Sequence, residues 1–288
     1  MIYFNKGRDI MKKKRIFKFM CLFLCVLFLS GCDGSVTSDI RHAGFNIGGK
    51  FICNEFYPKD KEDTSYQKIL YMTGSHLINT DGDIYELSLS KTYQDGKNCR
   101  VADTMLKVKA IYDNSIFKAT DNKYYYLVGQ RDVAAYKEVL AEDRSYALID
   151  TLLKDEDVLK VQTADSSSGL YYVLKTDGNV YANVVISPDR NMPPQLISSQ
   201  IVYSRDDYGA YIEDFNFAGD SLNTFVRTED KLFRMRIKNN EKCSKYADIS
   251  CEYEMEEDPI YVQYRDRIIT FNGSMLITDY KQIFNVVS

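Results

Sequence analysis

Apolar and polar positions alternate along most of residues 65–287, and one strand pattern recurs within this span. In each copy an apolar strand precedes a small polar turn, a second strand, a Thr-Asp-type turn and a third strand. An apolar residue stands three positions before each threonine, and an apolar-aromatic pair follows four and five positions after it. These threonines are Thr80, Thr120, Thr176, Thr228 and Thr278, the last with its pair one position late. Such alternation predicts strands that bury one face.

The turns between the paired strands hold residues that accept a left-handed backbone. Asp81-Gly82, Asp121-Asn122 and Asp177-Gly178 tolerate the positive φ of tight hairpins. We therefore assign the three aspartates to turns rather than to a ring of metal ligands. The strands predicted upstream of the hairpins are Ile69-Leu70, Leu106–Ile111, Val158–Val161, Ile212–Phe217 and Ile260–Val262.

The repeat spacing indicates the fold class. The five threonines are 40, 56, 52 and 50 residues apart, and multi-strand repeats of about 40–50 residues are typical of propeller blades. We predict an all-β fold, a propeller-like toroid of about five degenerate blades, with another antiparallel β-sandwich or open sheet as the alternative. A strand near Phe45 to Cys53 would close the ring against Phe284 to Val287. Residues 133–153 fit either a helix or outer strands.

One hairpin also resembles a known family. Residues 173–181, from Val173 to Tyr181, resemble the third-strand hairpin of β-propellers of the regulator of chromosome condensation type, and Val158–Val161 stands where that family places its preceding strand. The resemblance covers roughly residues 65–287 in degenerate copies. The family's glycine pair and Trp-Gly ending are absent, although Val128-Gly129 lies near the latter position. The resemblance implies a propeller; the nucleotide-exchange activity of one branch does not carry over, because no residue matches it.

A cationic and then apolar segment lies near the start of the chain. Five basic residues between Lys12 and Lys18 precede eleven apolar residues, Phe19 to Leu29, and then small Ser30 and Gly31. This order describes a secretory signal. Eleven residues rise only about 17 Å as a helix, against about 30 Å of hydrocarbon core. We predict a cleaved signal peptide over residues 1–31, with Met11 as the true start.

The end of this segment, Leu29-Ser30-Gly31-Cys32, resembles the lipobox of bacterial lipoproteins. The resemblance implies that the Cys32 thiol receives a diacylglyceryl group and that Cys32 becomes the first residue, with palmitate-type chains anchoring it at about 0.8 kcal/mol per buried CH₂. The alternative is an ordinary signal with a chance cysteine.

Residues 32–44 would be the lipidated cysteine and a flexible tether, and residues 45–288 a single β-repeat domain. In Gram-negative lipoproteins Asp after the lipidated Cys favours the inner membrane, and Asp33 occupies this position.

The remaining cysteines suggest disulfides. Cys21 and Cys25 leave with the signal, and four cysteines remain: Cys53, Cys99, Cys243 and Cys251. Compartments beyond the membrane permit disulfides, and four cysteines allow three pairings. We favour Cys53–Cys99 with Cys243–Cys251. The competing zinc site lacks CxxC spacing and a nearby histidine.

Charge and motifs narrow the function. The first 31 residues hold seven of the 37 Lys and Arg and one of the 41 Asp and Glu, so residues 32–288 have a net charge near −10. An acidic body argues against a nucleic-acid partner.

The two histidines are His42, in the tether, and His76, which we place in a solvated turn. No GxGxxG, GxxxxGK[ST], HExxH or GxSxG motif occurs. The tyrosine run Tyr124–Tyr126 is assigned to core packing.

These observations predict a membrane-anchored lipoprotein of the bacterial envelope that faces the periplasm or exterior. We expect a non-enzymatic protein-binding module with an assembly, inhibitor or immunity-type role, bound to the membrane through lipid on Cys32 and to another envelope protein. No catalytic, cofactor-binding or metal residue is predicted. The alternative is a carbohydrate- or peptidoglycan-active enzyme that uses carboxylates, because carboxylates are plentiful.

Overall fold

Strands account for most of the described residues, so the predicted all-β fold is confirmed. The computed structural model describes residues 44–50, 53–60, 62–73, 75–88, 96–102, 105–128, 135–189, 192–217, 224–237, 253–258, 268–271, 275–278 and 282–287. The chain divides into two compact units, residues 1–42 and 43–288, and every described residue belongs to the second. The predicted signal peptide, Cys32, Asp33, His42, Cys243 and Cys251 lie outside the described residues.

Strands follow one another with short connections. The first ten are β1 (Gly44–Lys50), β2 (Ile69–Met72), β3 (His76–Asn79), β4 (Ile84–Leu87), β5 (Cys99–Val101), β6 (Val108–Tyr112), β7 (Ile116–Ala119), β8 (Tyr124–Leu127), β9 (Tyr136–Glu138) and β10 (Val158–Asp165). The next ten are β11 (Leu170–Lys175), β12 (Val180–Ile186), β13 (Gln195–Tyr203), β14 (Ile212–Phe217), β15 (Thr224–Thr228), β16 (Leu232–Ile237), β17 (Tyr253–Glu257), β18 (Ile268–Phe271), β19 (Met275–Thr278) and β20 (Gln282–Val287).

Helical structure within the described residues is brief. A 3-10 turn spans Asn54–Phe56, and two α-helices span Tyr146–Leu152 (α1) and Arg205–Tyr208 (α2). Residues 133–153, which fitted either a helix or outer strands, contain both β9 and α1. Helix α2 starts at a capping box, in which Ser204 accepts a hydrogen bond from the backbone N–H of Asp207 and the Asp207 carboxylate accepts one from the backbone N–H of Ser204.

The strands pair as antiparallel meanders. Two four-stranded sheets have the orders β2-β3-β4-β5 and β14-β15-β16-β17. An eight-stranded sheet contains the meanders β6–β9 and β10–β13, joined where β6 and β10 pair in parallel, with Lys160 opposite Ile111. The last sheet has the order β1-β20-β19-β18, with Gly44 opposite Val287. The predicted pairing between the segment near residues 45–53 and residues 284–287 is therefore confirmed.

Each threonine-centred hairpin is present, as β3–β4, β7–β8, β11–β12, β15–β16 and β19–β20. The predicted positive φ falls on Gly82 (82°), Asn122 (63°) and Gly178 (79°). Asp121 and Asp177 accept the backbone N–H two residues later, at 3.0 and 2.9 Å. This is the hydrogen bond of an Asx turn, so their turn role is confirmed.

One upstream strand was misplaced by the sequence pattern. We predicted it at residues 260–262, which lie outside the described residues, but the strand that pairs with β19 is β18, at Ile268–Phe271. The pattern misled because Ile260–Val262 has the required apolar character, whereas hairpin geometry selects the segment directly before the turn.

Three apolar clusters bind successive meanders together. One joins β2–β5 to β6–β9 and includes Tyr71 and Phe117. A second joins β6–β9 to β10–β13 and takes in Ile149 of α1. A third joins β10–β13 to β14–β17, where the ring centroids of Tyr172 and Phe217 are 4.6 Å apart. The core therefore lies between the faces of consecutive meanders.

Candidate functional site

Strand β13 is a long, uncharged edge. It is the terminal strand of the eight-stranded sheet and pairs antiparallel with β12 on its inner side. Residues 195–201 are all exposed, and three large apolar side chains among them are half exposed: Leu196 (49%), Ile197 (58%) and Ile201 (52%). No charged residue occurs from residue 191 to residue 204. An edge of this kind is a template for a further strand.

Three other terminal strands, β5, β9 and β17, are protected against such pairing. Strand β5 has three residues and includes Arg100, and β9 has three residues and includes Lys137 and Glu138. Strand β17 contains three glutamates within five residues. Short length and charge are the usual means by which proteins block edge pairing. The nine-residue β13 has neither.

Two of the apolar side chains of β13, Leu196 and Ile201, share a face. Leu196 lies opposite Val185 and Ile201 lies opposite Tyr181, and these are alternate residues of β12. Bulges at Ile197 and Val202 interrupt the register and leave a regular stretch between them. The side chain of Ser199, within this stretch, donates to Asn183 at 2.7 Å. These hydrogen bonds fix the inner side of β13, and none of the described strands pairs with its outer side.

A buried polar cluster lies where β2, β10 and β14 meet. Lys160 of β10 is 1% exposed, and its Nζ donates to Asp214 Oδ1 of β14 at 2.6 Å and to the Phe215 carbonyl at 2.8 Å. The hydroxyl of Tyr71, from β2, donates to the Leu159 carbonyl at 3.1 Å. Burial, and then the charge of Asp214, raises the pKa of Tyr71 well above its usual value. These contacts hold β2, β10 and β14 together.

A second cation extends this cluster. Arg227 is buried, and it donates to the Leu70 carbonyl at 3.0 Å and to Glu213 at 3.3 Å. The adjacent carboxylates Glu213 and Asp214 are therefore each held by their own cation. A glycosidase requires one carboxylic acid and one base or nucleophile facing a common substrate. The arrangement here is structural ion pairing, and it gives the carbohydrate-active alternative no support.

The structure corrects the assignment of His76, which we predicted to be a solvated turn residue. It is the first residue of β3 and is 1% exposed. Its Nδ1 is 2.8 Å from the Ser75 hydroxyl, and Glu86, which pairs with Arg100 at 2.6 Å, lies opposite it. Burial lowers the pKa of His76 below 6.5, while Glu86 opposes this shift. The prediction was wrong because all four β3 residues are buried, so both faces of the strand are covered.

Of the predicted cysteine pairs, Cys53–Cys99 is present as a disulfide, as we favoured. Both residues are fully buried in a cluster with Phe56 and Tyr85. The carboxylate of Glu55 lies near both sulfur atoms, which would otherwise suggest a three-residue metal site. Because zinc binds the thiolate form of cysteine, the disulfide removes these ligands.

The tyrosine run behaves as core, as we predicted. Tyr124 and Tyr125 are 2% and 7% exposed. The Tyr125 hydroxyl donates to the turn residue Asp121 at 2.6 Å, and Tyr181 donates to Asp177 in the equivalent position of its own hairpin. The pKa of Tyr125 is raised, mainly by burial and then by this hydrogen bond. In the spacing Thr-Asp-X-X-X-Tyr, the tyrosine hydroxyl thus hydrogen-bonds to the aspartate of its own turn.

Sequence reasoning missed both β13 and Lys160. The fourteen uncharged residues from 191 to 204 were a usable signal, because the chain has 27% charged residues on average. Lys160 stands inside the apolar segment Val158–Val161, where a lysine is unusual. Its partner, Asp214, is 54 residues away and could not be paired with it from sequence.

Comparison with known proteins adds no family. No protein-family model matches the chain. No curated protein matches it either. Among the described residues, none of the helices has both the length and the apolar character needed to cross a membrane.

Proposed function

We propose that this chain is a lipid-anchored envelope lipoprotein whose β body is a non-enzymatic protein-binding module, and that its partner binds along β13. The observation that carries this proposal is the exposed, uncharged edge of nine residues, with three half-exposed aliphatic side chains. Added strands bind through main-chain hydrogen bonds, and alternate side chains supply specificity.

The proposed architecture is a five-bladed, propeller-like toroid, in which each four-stranded meander is a blade. Three features support it. The five meanders follow one another in chain order, β1 completes the last of them, and apolar clusters lie between consecutive meanders. In such a toroid β13 is an outer strand, at the rim, where a partner can reach it.

The proposed location is the bacterial cell membrane, with the body facing the periplasm or exterior. It depends on the lipobox resemblance at residues 29–32, and the buried Cys53–Cys99 disulfide agrees with an oxidising compartment. Replacing Cys32 by Ala should abolish palmitate labelling and leave an unprocessed chain. Equal labelling of the wild type and Cys32→Ala would contradict the anchor.

The binding proposal is tested by affinity capture from envelope membranes in mild detergent, with a tagged full-length chain. Ile201→Lys places a charge on the β13 edge. Met105→Lys is the matched control, because Met105 is 99% exposed and lies between β5 and β6, outside β13. We expect a reproducible bound protein with the wild type and Met105→Lys, and at least about tenfold less with Ile201→Lys. Equal capture by all three chains would contradict a role for β13.

A further inference from the structure

We infer that the occupant of β13 is a second copy of this chain, paired antiparallel about a two-fold axis centred on Ser199. This inference depends on the proposed binding role of β13 and names its partner. Self-pairing is isologous, so the strand must be complementary to itself.

The sequence of β13 meets that requirement at one register. In an antiparallel pair related by a two-fold axis perpendicular to the sheet, one residue lies opposite its own copy. With Ser199 in that position, Ser198 lies opposite Gln200 within the regular stretch, and Ile197, at the first bulge, lies opposite Ile201. Apolar residues then face apolar residues and polar residues face polar ones, which is the arrangement that stabilises cross-strand pairs. Centring the pair on Ser198 instead would place Leu196 opposite Gln200 and Ile197 opposite Ser199.

Charge favours a second copy at this edge over other surfaces. Residues 32–288, which the proposed lipoprotein keeps after signal cleavage, have a net charge near −10, so two copies repel each other at long range. Pairing two copies of β17 would bring its three glutamates against those of the other copy. The segment 191–204 adds no charge on either side, and like charges opposite each other are what destabilises edge pairing. Two copies therefore meet without local repulsion along β13.

Residues at both ends of β13 limit the length over which two copies can pair. Pro193 and Pro194 precede β13 and lack backbone N–H groups, and Ser204 ends it by capping α2. A closed two-fold pair uses the outer edge of both copies, which leaves no β13 edge for a third. The inference is thus a dimer rather than a fibre.

Cysteine crosslinking of the full-length chain in its own membrane tests the register. Side chains directly opposite each other in an antiparallel pair have Cβ atoms about 4.5–5.5 Å apart, so Ser199→Cys should crosslink to its copy under mild oxidation. The matched control is Ser166→Cys, an exposed serine in the β10–β11 turn of the same sheet. We expect at least about tenfold more reducible dimer from Ser199→Cys than from Ser166→Cys, and its loss in Ser199→Cys/Ile201→Lys. Equal dimer from the two cysteine variants would overturn the inference.

Sedimentation equilibrium of the full-length chain in mild detergent separates this inference from the proposed function. We expect a dimer for the wild type and Met105→Lys, and a monomer for Ile201→Lys with an unchanged denaturation midpoint. If every chain is monomeric while the wild type still captures another protein that Ile201→Lys loses, self-pairing is overturned and the binding role stands. If every chain is monomeric and capture is also unchanged, both proposals are overturned.

Discussion

Lys160 and Asp214 connect β10 to β14 through an ion pair with an Nζ–Oδ1 distance of 2.6 Å, in which the two side chains are 1% and 5% exposed. The same ammonium group lies 5.4 Å from the Phe215 ring centroid and 5.9 Å from that of Tyr71. A buried pair of this kind contributes little net stability against an apolar replacement, but its single loss leaves an uncompensated charge. Removing one partner should therefore cost far more stability than replacing both partners together.

Lys160→Met should destabilise the protein by about 3–5 kcal/mol, because Asp214 remains buried without its cation. Urea unfolding with a shared m-value measures the change. The control is Lys123→Met, whose pair with Glu138 is 56% and 43% exposed and is expected to contribute under about 1 kcal/mol. Lys160→Met/Asp214→Leu should recover much of the loss. Equal destabilisation by Lys160→Met and Lys123→Met would show that burial of the pair does not matter.

The disulfide Cys53–Cys99 should contribute about 4 kcal/mol, since it closes a loop with a sequence separation of 46 residues. Replacing both cysteines by alanine should lower the free energy of unfolding by up to that amount. Dithiothreitol should then change the free energy of unfolding of this variant less than that of the wild type. The matched control is the Cys243→Ala/Cys251→Ala chain, which keeps the described disulfide. If the free energy of unfolding of that chain is the same under reducing and oxidising conditions, the Cys53–Cys99 disulfide does not stabilise the protein.

The residue types in the turns predicted the hairpins, whereas the burial of His76 and the position of β13 depend on contacts between distant parts of the chain. Positive φ at Gly82 and Gly178 follows from turn residues that the sequence displays. Burial of His76 depends on a second covering layer, which a one-face alternation does not report. The edge position of β13 follows from the order of the described strands in its sheet, and the lack of charge from residue 191 to residue 204 is the one sequence signal for it. Sequence thus specified pairs of neighbouring strands better than contacts between distant ones.

Gly82 should tolerate alanine far less than Gly96, although both have positive φ, at 82° and 77°. A Cβ at Gly82 would lie 2.4 Å from the Val108 carbonyl oxygen, whereas one at Gly96 meets no atom of the described residues within 4 Å. Gly96→Ala should cost about 1 kcal/mol through the backbone alone, and Gly82→Ala about 1–3 kcal/mol more through overpacking. Thermal or urea unfolding measures both. Indistinguishable values would mean that the Val108 backbone moves away without cost.

Stability should fall as the pH is lowered below 6.5, because of His76. Burial lowers the pKa of His76 in the folded chain. Between this lowered pKa and pH 6.5, the imidazole is therefore protonated in the unfolded chain and neutral in the folded chain. The neutral form thus supports stability that is fully present above pH 6.5 and is lost as the pH falls through the lowered folded pKa. Groups such as Asp63 and Asp177, whose pKa values are lowered from 3.8, act in a more acidic range.

Urea unfolding of wild type, His76→Gln and His42→Gln between pH 7.5 and pH 5 tests this dependence. The chain has only these two histidines, so His42→Gln is the matched control. The wild type and His42→Gln should lose stability with decreasing pH, and His76→Gln should show a flatter profile, because the glutamine side chain has no proton to gain in this range. A slope that persists in His76→Gln and disappears in His42→Gln would assign the dependence to the other histidine and refute the burial argument.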